Sequence, residues 1–277
     1  MAKTSQTEKE QIAQLAWQVE MGADEVISEV PINRLLAARP EKTPATETKA
    51  AETKAPQTKA PQTKAAPAKA QAAAPPPEAA EQEAGDLAAK AKTLAELNGA
   101  IAAFEGCSLK KTAMSTVFAR GGPASGLMLV GEAPGAAEDR QGKPFVGPAG
   151  KLLDKMLAAI GRTSEADYYI SNILPWRPPG NRNPTPAEAA ICLPFIRRHI
   201  ELAAPRVLVM LGGVAAKALL DVTDGITRVR GRWFCYSVRE REIPAMAIFH
   251  PAYLLRQPQL KRQAWQDLLE IKSKLDG

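Results

Sequence analysis

The chain has 277 residues, 45% of them hydrophobic, enough for one domain of ordinary size with a real core. Charge is unevenly spread: residues 1–90 hold 11 basic against 13 acidic side chains, whereas residues 91–277 hold 25 against 17, a net of +8 that suits a polyanionic partner such as nucleic acid. Three scattered cysteines without a CxxC pair argue against a secreted disulfide framework and for a reducing, cytoplasmic setting.

The N-terminus, MAKTSQTEKEQ, is polar, and the longest apolar stretch, Val207–Leu220, is interrupted by Gly212, Gly213 and Lys217, so neither a signal peptide nor a membrane span is expected. Residues 1–40 carry apolar positions at helical spacing (Ile12, Leu15, Val19, then Val26, Val30 and Leu35) and read as a short helical segment. Residues 41–85 read as a disordered Ala/Pro/Lys/Thr linker. TKA recurs there every five residues from Thr48 to Ala65, too short a period for a solenoid unit and too polar to bury. A globular domain is expected over 86–277. It opens with a helix over Leu87–Phe104, and four apolar runs of strand length follow: Leu127–Val130, Tyr168–Leu174, Arg206–Leu211 and Ala245–Phe249. Helical stretches separate them at Ala149–Ile160, Pro186–Leu202 and Val214–Leu220, and Lys261–Leu275 closes the chain. The alternation predicts an α/β fold, three-layer α/β/α around a central four-stranded, mostly parallel sheet.

In such a sheet a ligand sits outside the carboxyl ends of the strands. The first strand runs into Gly131-Glu132-Ala133-Pro134-Gly135 and on through Glu138 and Asp139 to Gly142-Lys143-Pro144-Phe145. A Walker A loop is excluded because six residues, not four, separate Gly135 from Gly142-Lys143, and Pro144 stands where Ser or Thr belongs. The second strand ends in Asn172 and the fourth in His250, one of two histidines. The other, His199, follows two arginines in a helical run and reads as a surface residue.

Taken together, GEAPGAAEDRQGKPFVGPAGKLL, YISNILPWRPPGNRNPTPAEAAIC, LGGVAAKALL, ITRVRGRW and FHPAYLLR, in this order, resemble the family 4 uracil-DNA glycosylases of the uracil-DNA glycosylase superfamily, over about 104–268. The resemblance implies a monofunctional enzyme that hydrolyses the N-glycosidic bond of deoxyuridine in DNA and leaves an abasic site, acting as a monomer on uracil-containing DNA. A possible protein partner of the N-terminal segment is not identified. By the same resemblance Phe145 stacks on the flipped base, Asn172 reads uracil, and Gly131 and Ala133 line the base site. Ala133 occupies the position where related families place an aspartate, so the usual general base is missing. Its substitute is expected to be Glu138 held by Asn181, with Glu132 nearby, while His250 donates to uracil O2. Of Leu254 and Leu255, one would wedge into the duplex while Arg256 meets a phosphate.

Family 4 members hold a 4Fe-4S cluster on four cysteines. The matching positions here are Phe104, Cys107, Trp176 and Cys192, so two thiolates have become aromatics and neither cluster nor other metal is expected. Cys107 and Cys192 would remain as neighbouring buried thiols. Two other readings stay open: a DNA-binding module that has lost turnover, and an adduct-forming relative. The latter is disfavoured because the basic segment Thr227–Arg241 contains no histidine.

Overall fold

The computed structural model describes residues 77–277 except Glu240; the expected helical segment at 1–40, and the linker up to residue 76, lie outside the described residues. The first described helix lies partly inside the span expected to be linker. Helix α1 (Pro77–Lys90) buries Ala80, Ala84 and Ala88, one stripe at a spacing of four, against helix α5 (Pro186–Ala203). Residues 77–85, expected as linker, are therefore part of the packed fold: the alanine-rich composition is here a helix whose small side chains permit close packing. A second correction concerns the helix expected over Leu87–Phe104, which is two. The chain breaks after α1, and Thr93 caps α2 (Leu94–Ala103) by accepting from Glu96 N through Oγ1 at 3.1 Å.

The sheet has six strands. β2 (Leu127–Gly131), β3 (Tyr169–Asn172), β4 (Val207–Leu211) and β6 (Arg241–Ile248) pair in parallel in the order β3-β2-β4-β6, which is the expected central four. Two antiparallel edge strands add to them: β1 (Arg120–Gly121) beside β3, and β5 (Trp233–Val238) beside β6. β2 and β4 are buried along their whole length, as expected of parallel strands covered on both faces.

Alternation along the strands divides the core in two. Met128, Val130, Leu208 and Met210 face one layer, with α1, α2, α5 and α6 (Gly213–Leu220). Leu127, Leu129, Val207 and Val209 face the other, where α4 (Pro148–Ala159) and α9 (Lys261–Asp276) contribute Leu153, Leu157, Leu268, Ile271 and Leu275. The other described helices are α3 (Ala136–Gln141), α7 (Ile226–Val229) and α8 (Pro251–Arg256). None of the described helices is long and apolar enough to cross a membrane.

His199 is not on the surface. Its exposure is 2%, since it shares the buried face of α5 with Phe195, Ile196 and Ile200. Tyr169 Oη lies 2.8 Å from its Nε2, Ser171 Oγ lies 3.4 Å from Nδ1, and the Phe118 ring stacks on it at 4.3 Å. Burial pushes its pKa down to about 3. Below pH 6.5 the unfolded chain therefore takes up a proton that the folded one refuses, and stability falls with pH from 6.5 towards 3, at about 1.4 kcal/mol per pH unit from this group. Urea unfolding at several pH values should show that slope in wild type and a shallower one in His199→Gln.

Candidate active site

β2 departs in one direction to β3 and β4 departs on the other side, so a crevice opens where the strand order reverses. The cleft there measures about 480 Å³ and is lined from all four parallel strand ends: Glu132–Gly135 after β2, Asn172 at the end of β3, Leu211–Gly213 after β4 and His250 after β6. Phe145, Glu138, Asn181 and Arg256 complete its walls. Every residue expected to act on the base except Gly131 thus reaches one cavity; Gly131 is buried behind the wall, against Asn172 and Phe145. A second cleft, of about 570 Å³, lies along β5 and α5. Two of its arginines are engaged, Arg198 on the Ala91 carbonyl at 2.9 Å and Arg239 on Glu201, and it touches none of the strand-end residues.

Asn172 is 5% exposed, and its Oδ1 has no hydrogen-bond partner among the described residues. An unpaired buried acceptor costs ~1–3 kcal/mol, so its retention at a cleft wall points to a ligand that donates to it. Space around it is tightly held. A Cβ at Gly131 would run into Asn172 Oδ1 and lie 2.6 Å from the Phe145 ring, so glycine is what lets base reader and stacking face stand side by side. Phe145 itself sits at φ 55°, and a Cβ at Gly150 would collide with its carbonyl, so the first turn of α4 fixes the ring's approach. The ring lies 5.6 Å from that of His250.

His250 is the N-cap of α8: its Nδ1 accepts from Ala252 N at 3.1 Å. With Nδ1 accepting, the neutral imidazole carries its proton on Nε2. Burial pushes its pKa down to about 4; Arg256 reinforces the shift and Glu138 opposes it. The ring is a neutral donor throughout the physiological range.

The expected pairing of Glu138 with Asn181 is not formed. Glu138 Oε1 accepts from Val146 N (3.0 Å) and Gly147 N (2.8 Å), and Oε2 from Gly135 N (3.1 Å), so the carboxylate stitches together the two ends of the loop that carries Phe145. Asn181 Oδ1 instead accepts from Arg177 Nε at 2.7 Å. The backbone N–H of Gly135, although Gly135 lines the cleft, is taken by Glu138. Glu132 lines the cleft half-buried, and burial raises its pKa. Ala133 also lines the cleft and packs against the core.

Of the two wedge candidates, Leu254 is removed by its 1% exposure: it packs with Phe249 and Ala264 beneath α8. Leu255, the next residue round the helix, is 45% exposed.

The residues at the four positions of the resemblance's cluster do not fit it. Phe104 and Trp176 are each 1% exposed and stack with centroids 6.4 Å apart, and Phe195 meets Phe104 edge-on at 5.2 Å. The rings fill the volume, and only Cys107 and Cys192 remain as thiols, both buried, their mutual interaction lowering the pKa of the first and raising that of the second. Trp176→Ala should destabilise the domain by about 3–5 kcal/mol in urea titration, the cost of an aromatic-sized void, while leaving the cleft residues in place.

The uracil DNA glycosylase superfamily model matches residues 118–269, more than half of the chain. The type-4 uracil-DNA glycosylase of Archaeoglobus fulgidus is 41% identical over 169 residues, 60% of this chain and 84% of the relative. That of Thermotoga maritima is 39% identical over 170 residues, 60% of this chain and 86% of the relative. A DNA polymerase of Bacillus phage SP01 is 31% identical over 170 residues, 61% of this chain but 18% of that protein.

Proposed function

Because the chain belongs to the uracil-DNA glycosylase superfamily, we infer that its strand-end cleft takes a deoxyuridine flipped out of DNA and hydrolyses the N-glycosidic bond, releasing uracil and leaving an abasic site. The observation that carries this reading is the pairing in one cavity of an orphan amide acceptor, Asn172 Oδ1, with a neutral imidazole whose Nε2–H is its free donor. Uracil presents N3–H to the first and a carbonyl oxygen to the second. Cytosine has no N3–H and leaves Asn172 Oδ1 unmatched, which is how a buried polar group rejects an analogue.

Bond breaking leaves positive charge on the sugar and negative charge on the departing base. His250 meets the negative end: a neutral donor stabilises anionic uracil through its O2 without transferring a proton. Glu138, fixed by three backbone amides, places a carboxylate on the same cleft and opposes the positive end electrostatically. Phe145 covers one face of the base. Leu255, exposed at the start of the next turn, suits the wedge that fills the vacated stack, and Arg256 beside it suits a phosphate. We assign no step to an iron-sulfur cluster, and the aromatic packing of Phe104 and Trp176 supports a domain that holds together without one.

A single deoxyuridine in a labelled oligonucleotide tests this directly. Purified protein should produce a site cleaved by alkali at that position only. DNA that is retarded on a gel but stays intact would favour the binding module, and protein that stays attached to DNA under denaturing conditions would favour the adduct-forming reading.

A further inference from the structure

The loop after β3 contains an arginine that stands behind the cleft wall instead of lining it. Arg177 donates through Nε to Asn181 Oδ1 at 2.7 Å, and its guanidinium reaches Asp139 Oδ2 at 4.0 Å. Asp139 is a firm anchor. Its side chain is 3% exposed, its Oδ1 accepts from Met114 N (2.8 Å) and Ser115 N (3.1 Å), and it directly follows Glu138 in the first turn of α3. Arg177 therefore ties the loop after β3 to the loop after β2.

Asn181 is the residue this tie acts on. It sits at φ 55° immediately after Gly180 at φ 64°, with a single backbone bond of its own N–H, to the Pro178 carbonyl at 3.1 Å. Asparagine tolerates this left-handed conformation better than other non-glycine residues, and the bond to Arg177 fixes where its amide points. The bond also fixes which end of the amide works. With Oδ1 taken, Nδ2 and its two hydrogens are the free end, and Asn181 lines the cleft.

We propose that Arg177 is a positioning residue for glycosidic-bond hydrolysis, holding the Asn181 amide so that it presents its N–H donors to an oxygen of the flipped nucleotide. This rests on the glycosylase reading above. It assigns Asn181 the role of a donor, not of a partner that helps Glu138 accept a proton from water.

Single-turnover excision of uracil by wild type, Arg177→Gln, Asn181→Ala and the double variant separates the possibilities. Arg177→Gln should slow excision by about tenfold or more, the effect of a misplaced group and not of a lost one. Added to Asn181→Ala it should cost nothing further, because it acts through the same amide. Asn181→Asp, which exchanges donors for an acceptor, should be as slow as Asn181→Ala. Arg177→Lys keeps the charge beside Asp139 but loses the planar fork, so it should fold with an unchanged melting temperature and still be slowed, which excludes a merely structural role. Multiplying effects in the double variant, or wild-type rates in Asn181→Asp, would overturn the proposal. A wild type that releases no uracil overturns the functional reading instead, and this inference with it.

Discussion

Asn172→Ala is expected to lower uracil excision by a factor of about 10⁴, the largest single effect in the site. The reason is arithmetic of buried polar groups. Asn172 is folded into the end of β3 with an oxygen that finds no partner among the described residues, so the free enzyme already carries the cost that a matching base relieves. Removing the amide removes both the relief and the discrimination. Turnover on deoxyuridine collapses, and uracil loses its advantage over cytosine. Because the lost group was itself unsatisfied, the domain should be no less stable than wild type. A melting temperature that stays level while excision vanishes is the pattern to look for; a parallel loss of both would make Asn172 a structural residue.

His250→Ala is expected to cost about 10²–10³ in the single-turnover rate, the usual loss when one preorganised donor to a developing anion is removed. Its pH dependence is the sharper signature. Since burial holds the ring neutral down to about pH 4, its donor is intact on both sides of 6.5, and excision should show no loss as pH drops from 8 to 5. An exposed histidine acting as an acid would instead gain activity through 6.5. The substitution also removes the cap of α8, so Leu255 and Arg256 lose their support; His250→Asn, which retains a capping side chain, separates the two contributions.

How much of this was legible in the sequence differs from one residue to the next. The strand ends are, because apolar runs of four to seven residues alternating with helical spacing define a parallel sheet, and a polar residue at the end of such a strand has only one edge to occupy. Asn172 and His250 are found in this way. The edge strands were not. β1 is two residues long, and β5 alternates with exposed Trp233 and Cys235 in a basic stretch that reads as loop.

The polarity of His199 and the arginines before it point to the surface, although its spacing with Phe195, Ile196 and Ile200 marks the buried face of α5. Helix α1 is obscured in the same way: alanine-rich composition reads as linker despite the spacing of Ala80, Ala84 and Ala88. Glu138 failed for a different reason. Its partners are backbone N–H groups eight and nine residues away, and no pattern of side chains shows where a loop turns its amides. Leu254 and Leu255 are adjacent letters, and only the helical phase of α8 against Phe249 and Ala264 decides which is buried.

In the proposed reaction the cleft's own side chains suffice for the chemistry. The most direct measurement is therefore the amount of uracil released per chain from a deoxyuridine oligonucleotide, made on a preparation whose iron content is determined alongside. The prediction is stoichiometric release in a single turnover by colourless protein with negligible iron. Release that rises and falls with bound iron, or absorbance near 400 nm accompanying activity, would contradict it.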